Sequence, residues 1–313
     1  MTVDSSSRQR PAWLLPGVIG LVVVVGFAAL PQGRALAGRF LRSLRMQKVQ
    51  AVNVDLSAFT DPNANPSLHQ MVTQMISDKV TRSVNEPDQT PADAAAAGNL
   101  AGFHVQLLST RKDPPKLVVA GEQSVNLLID RARLQTIFGE AGHSELAVPA
   151  SLDGAAVSVD IPRAVEVQYG TCPGPTSATS EIASNITGPT PGTTQYSDCV
   201  RLREGPSPIV RVPPELDVKH LAEIGLEVAG MTPSQATDFL QTVNWESTLV
   251  MTVPRFLRSY QPVKVAGAPG TLLTMASRRG PGYTLIWTKN GTGYSMEGFG
   301  DSSQAVQLAE SLK

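Results

Sequence analysis

The chain has 313 residues, 42% hydrophobic and 17% charged, with a net charge of −1. That length holds one large domain or two small ones with ample apolar content for a core. The near-neutral balance gives no general basis for nucleic-acid binding, and two cysteines alone cannot build a zinc site.

Residues 1–12 form a short polar tail carrying Arg8 and Arg10. The run "WLLPGVIGLVVVVGFAAL" (Trp13–Leu30) is uncharged and apolar. At ~1.5 Å per residue it just crosses a hydrocarbon core of ~30 Å. Two readings compete. A signal peptide would be cleaved near "ALAG" (Ala35–Gly38), which has an A-x-A pattern. An anchor is favoured by the length of the run and by the helix-compatible Phe40, Leu41 and Leu44 beyond it. The anchor is adopted, giving one N-terminal transmembrane helix (13–30) and a basic juxtamembrane helix (31–50). Arg34, Arg39, Arg42, Arg45 and Lys48 argue by the positive-inside rule for keeping the C-terminal side of the span in the cytoplasm. The short basic tail, the A-x-A pattern and the cysteines argue the opposite, and the large domain (51–313) is placed outside the cytoplasm. Arg39, Arg42 and Arg45 then form either a stripe lying on anionic headgroups or a solvated helix face.

A first strand is expected in "VQAVNVDLSAF". Asn65 and Pro66 start a helix whose apolar face is Leu68, Met71, Val72, Met75, Ile76 and Val80. "NEPDQTPADAAAAGN" reads as a polar connection. Strands are predicted at "GFHVQLLST", "PKLVVAGE" and "SVNLLID", then a short helix capped by Asp130, then "AAVSVDIP" and "AVEVQYG" as a strand pair.

Cys172 and Cys199 bracket a Pro-, Gly-, Ser- and Thr-rich stretch, read as a flexible loop over 173–198. A disulfide there would contribute about 3 to 4 kcal/mol in the loop-entropy model and suits an exported domain. Two unpaired structural thiols are the alternative. Strands at "CVRLRE" and "PIVRVP" precede the clearest helix punctuation in the chain. Asp217 opens a helix that ends at Gly230, and Thr232, Pro233 and Gln235 form a capping-box start for the next, giving a helical hairpin. Further strands are expected at "STLVMTVP", "QPVKVAG" and "GTLLTMAS".

The last segment is the most explicit. Asn290-Gly291 is the pair preferred by a two-residue type I′ turn. Pairing outward sets Lys289 opposite Thr292, Trp287 opposite Tyr294, Leu285 opposite Met296 and Tyr283 opposite Gly298. Tyr283, Leu285, Trp287, Tyr294 and Met296 thus share one face, which is either core or the lining of a groove. A helix capped by Asp301, with Ala305, Leu308, Ala309 and Leu312 at helical spacing, can cover it. Strands and helices mix without regular alternation, so the fold class is α+β, a mainly antiparallel sheet with packed helices.

The sequence carries few marks of catalytic chemistry. There is no G-x-S-x-G, phosphate loop, H-E-x-x-H or G-x-G-x-x-G. "STRK" (Ser109–Lys112) matches a bare S-x-x-K without a later "KTG", and "HSE" near Asp153 is a loop rather than a His/carboxylate pair. No catalytic residue, cofactor or metal ligand is assigned, and the chain is read as a non-enzyme.

The arm "FLRSLRMQKVQAVNVDLS", the segment "LAVPASLDGAAVSVDIPRAVEVQYGTCP" and the ending "YTLIWTKNGTGYSMEGFGDSSQAVQLAESL" together resemble the extracytoplasmic C-terminal domain, a domain of unknown function, of bacterial anti-sigma-factor-type membrane regulators. Such regulators commonly carry a cytoplasmic zinc-binding domain with an H-x-x-x-C-x-x-C motif, for which the tail before Trp13 is too short. The resemblance implies a single-pass sensory or regulatory ectodomain that binds a membrane or envelope protein. A weaker resemblance, to periplasmic lipoprotein-binding folds, gives the alternative of a lipid or lipoprotein binding module.

Overall fold

The computed structural model describes residues 48–54, 63, 65–172, 196, 198–211, 218–243, 248–254, 259–277 and 280–313. In chain order these form β1 (Lys48–Val54), α1 (Pro66–Lys79), β2 (Val80–Val84), α2 (Ala94–Ala101), β3 (Lys116–Ala120), β4 (Gln123–Leu128), α3 (Arg131–Glu140), β5 (Ala156–Ile161), β6 (Ala164–Tyr169), β7 (Val200–Pro206) and β8 (Ile209–Arg211). The helical hairpin α4 (Val218–Val228) and α5 (Pro233–Thr242) comes next, then β9 (Thr248–Pro254), β10 (Ser259–Val265), β11 (Ala268–Ser277), β12 (Gly280–Lys289), β13 (Thr292–Phe299) and α6 (Ala305–Glu310).

The helices start where side chains can satisfy their free N–H groups. The Asn65 carboxamide accepts from the Leu68 amide at 3.0 Å with Pro66 in the first turn, and Asp130 accepts from Arg133 at 3.1 Å. At α5 both halves of the capping box form, Thr232 accepting from the Gln235 amide and Gln235 from the Thr232 amide. Asp301 accepts from the Ser303 amide and opens a 3-10 turn that leads into α6.

Seven strands form one antiparallel sheet in the order β10-β11-β12-β13-β7-β6-β3, and four form a second in the order β2-β4-β5-β8. β1 and β9 pair in parallel, the only parallel ladder among the described residues, and β1 lies against β11 and β12. The α+β class with mainly antiparallel pairing is therefore what the chain adopts.

The two larger sheets are continuous in a physical sense. β3, β6 and β7, adjacent in the seven-stranded sheet, run directly into β4, β5 and β8, adjacent in the other. Each crossing takes two residues: Gly121 and Glu122, Pro162 and Arg163, Ser207 and Pro208. Proline has no N–H for a ladder and interrupts pairing where the ribbons bend. A Cβ on Gly121 would collide with the Glu86 backbone, so only glycine allows that approach. Across the corner the Arg163 guanidinium grips both oxygens of Glu86 at 2.6 Å and donates to the Leu100 carbonyl at 3.2 Å. The Asn85 amide donates to the Glu122 carbonyl at 2.9 Å.

Several expectations are corrected. "GFHVQLLST" is not a strand. It lies as an irregular strap whose amides bond to the side chains of Glu204 and Tyr169 and to residues 311 and 313 instead of to a strand ladder. "ADAAAAGN" is helical: Asp93 caps α2, accepting from Ala96 at 2.8 Å, and Gly102 closes it in the left-handed region at φ 80°. The alanine run has the highest intrinsic helix preference, and a cap at each end suffices to form the helix. β5 and β6 are consecutive but do not pair with each other; the corner sends them to different sheets. Residues 48–50, assigned from sequence to the end of the basic helix, begin β1. The apolar run 13–30, the stripe Arg39, Arg42 and Arg45, and the Asp217 cap lie outside the described residues, as does most of the loop 173–198. Among the described residues no helix is long and apolar enough to cross a membrane.

Candidate functional site

The C-terminal hairpin has the register its turn dictates. Asn290 and Gly291 both take positive φ, 53° and 80°, and the pairs Lys289–Thr292, Trp287–Tyr294, Leu285–Met296 and Tyr283–Gly298 all form. Trp287 and Tyr294 stack at 4.9 Å between ring centroids and 5° between planes. Tyr283 lies over Gly298, where any Cβ would strike its ring. Tyr283, Leu285, Trp287, Tyr294 and Met296 are all buried in one core with Leu117, Val167 and Leu202 from the neighbouring strands and Ala305 and Ala309 from α6. This face is occupied by the protein itself.

The strap over residues 103–110 helps to cover it. The Gln106 amide donates to Glu204 Oε1 at 2.8 Å, and the Leu108 amide donates to the Tyr169 hydroxyl at 3.0 Å. The Tyr294 hydroxyl donates to Gln106 Oε1 at 3.1 Å. Leu107 and Lys313 exchange backbone hydrogen bonds at 2.9 and 3.1 Å, so the strap and the end of the chain hold each other. The Ser109 hydroxyl donates to the Ser311 carbonyl at 2.6 Å, and the S-x-x-K serine is thereby a C-terminal tether.

Glu204 belongs to no motif and was not singled out from the sequence. It is 1% exposed, and no other Asp, Glu, Lys, Arg or His among the described residues is buried. Burial pushes its carboxyl up to about 7, against the opposing pull of the Gln106 amide. Its Oε2 has no hydrogen-bond partner. The same desolvation raises Tyr283 and Tyr294, the latter helped by the Glu204 charge. The available signal was strand alternation: Val200, Leu202 and Glu204 share a face, so the glutamate comes after two core residues at the period of a strand.

The disulfide between Cys172 and Cys199 is present, with Cα atoms 4.8 Å apart. Around it Arg111 pairs with both oxygens of Asp113 at 2.7 and 2.8 Å and sits 5.5 Å from the centre of the Tyr169 ring. The Arg111 hydrogen bonds hold the Asp113 carboxyl down at about 2. Asp113 also accepts from the Gly170 amide at 2.9 Å. The loop is therefore stapled onto a strand end that is itself tied to the strap.

Elsewhere His143 lies 3.4 Å from Glu145, two residues on in the same loop, and Asp153 accepts from the Arg131 amide. Among the described residues no three His, Cys, Asp or Glu side chains converge as metal ligands. An open cleft of about 460 Å³ beside α2 carries one titratable side chain, His104. No protein-family model, curated protein or solved structure matches the chain.

Proposed function

We propose that the chain is a membrane-anchored extracytoplasmic sensory or regulatory domain that binds a protein partner or envelope ligand, in an anti-sigma-like system, without catalytic chemistry of its own. The observation that carries this reading is the Cys172–Cys199 disulfide, which suits an oxidising compartment. It agrees with the apolar run of 13–30, the anchor of a single-pass bacterial membrane protein. The buried aromatic face weighs against the carrier alternative, since a lipid or lipoprotein groove would need Trp287 and Tyr294 open to solvent, and both are below 10% exposed.

Crosslinked capture of the full-length protein from native membranes, analysed for proteins and for extracted lipids, tests the reading. A membrane or envelope protein recovered in stoichiometric amount supports it. A stoichiometric lipid or lipoprotein without such a partner overturns it in favour of the carrier.

A further inference from the structure

The strap, Glu204 and the chain terminus form a device that does not depend on the anchored-receptor reading. Glu204 Oε1 takes the Gln106 amide proton, Oε2 is unpaired, and both oxygens are enclosed. The titratable groups sharing its face are Tyr169 on β6, Tyr294 on β13, and Tyr283 and the exposed Lys289 on β12; Tyr169 and Tyr294 feel its charge. Strand alternation puts Glu166, Arg201, Arg203 and Glu297 on the opposite face of the same strands. On the strap His104 is exposed, and just beyond it Arg111 is engaged with Asp113. α2 carries no charged residue, and Glu310 at the end of α6 accepts from the Ala266 amide. No cation contributes to the ionisation of Glu204.

We propose that Glu204 is a protonation-controlled latch: as the neutral acid it keeps the strap over residues 103–110 and the chain's last three residues seated on the sheet, and as the carboxylate it releases them. The ionised form must be solvated, and a buried charge with one hydrogen bond and one bare oxygen is strongly disfavoured. Lifting the strap admits water to Glu204. Because Leu107 pairs with Lys313 and Ser109 with Ser311, the strap and the C-terminus leave together. The proton is exchanged with solvent, and no covalent step is involved.

The test is amide hydrogen exchange on the full-length chain at about pH 5.5 and about pH 8.5, expressed as protection factors so that intrinsic exchange rates cancel. The expected result is a fall of at least about tenfold in protection over residues 106–109 and 311–313 at the higher pH, with residues 283–296 unchanged. Glu204→Gln keeps an acceptor for the Gln106 amide and abolishes the fall. Tyr294→Phe removes the neighbouring hydrogen bond, leaves the carboxyl in place and retains the fall. Equal protection at both pH values in the unaltered chain overturns the proposal, as does an equal fall in Glu204→Gln. If Glu204→Gln does not fold, the unaltered chain and Tyr294→Phe decide: a shared fall supports the latch, and protection flat in both overturns it.

Discussion

On the seven-stranded side of the corner the core is lined by rings, with Tyr169, Tyr283, Trp287 and Tyr294 packed among aliphatic side chains. On the other side Ile129, Val148, Leu152 and Val157 meet Ala222, Leu226, Ala236 and Leu240 of the helical hairpin, and the buried cluster is wholly aliphatic. The seven-stranded side also encloses an acid, Glu204, whose Oε2 has no partner, whereas the buried polar side chain of the four-stranded sheet, Gln123, accepts from Arg82 at 3.0 Å. The contrast arises from how each is closed. The smaller core takes apolar side chains from the hairpin α4 and α5, and the Val148 amide of the irregular segment after α3 finds Gln135 Oε1 at 2.9 Å, whereas the larger is closed in part by a strap whose amides find Tyr169 and the titratable Glu204. The aromatic side is therefore the one that encloses an acceptor able to change its charge state.

The largest expected effect is on that side. Trp287→Ala should cost about 3 to 5 kcal/mol, since it removes a stacked, buried ring between two strands. Chemical denaturation of the variant checks this; a midpoint unchanged within error would mean that the ring faces a solvent-filled groove. Next comes the staple at the tip of the β6–β7 ribbon. Replacing Cys172 and Cys199 together with serine opens a crosslink with a sequence separation of 27. The expected loss is about 3 to 4 kcal/mol, measured by denaturation of the oxidised parent and the double variant.

These two effects bear on features of unequal legibility. The hairpin could be read to the residue pair because Asn-Gly fixes its turn and the two strands are contiguous. The helical hairpin could be read because Thr232, Pro233 and Gln235 are local signals. The strap could not: its amides bond to Glu204 and Tyr169, 98 and 61 positions away, and no local pattern announces such partners. The valine and leucine content of "GFHVQLLST" has the right composition for a strand, but its amides are bonded to side chains and to residues 311 and 313. The splitting of β5 from β6 was hidden for a related reason. Pro162 marks a break, but whether a break is a turn or a corner depends on Gly121 and Pro208 in distant strands. Cys172 and Cys199 were legible as a pair, because a compositionally biased loop lay between them.

The third effect distinguishes the two cores by pH. With the folded-state carboxyl of Glu204 near 7 against an ordinary value of 4.5, the folded chain binds more protons than the unfolded chain between those limits. Stability is therefore fully present below about 4.5, declines as pH rises through this window by about 3 kcal/mol, and is flat in this contribution above it. Glu204→Gln should flatten that portion of the profile. A parent profile that rises from pH 5 to pH 7 by the same amount would show that other groups dominate.

The smallest effect is on the aliphatic side. Thr232→Ala removes the acceptor for the Gln235 amide at the start of α5 and leaves the Gln235 side chain to hold its half of the capping box alone. The expected cost is about 1 kcal/mol, the usual value of a side-chain cap. The Thr232 hydroxyl is exposed and carries no charge, so the loss should be the same at pH 5 and pH 8. Measured side by side with the Glu204 profile, a pH-independent decrement here separates a helix sealed by local caps from a sheet held shut by a buried acid. A decrement that itself varied with pH would mean that the Thr232 cap and the ionisation of Glu204 are energetically coupled across the corner.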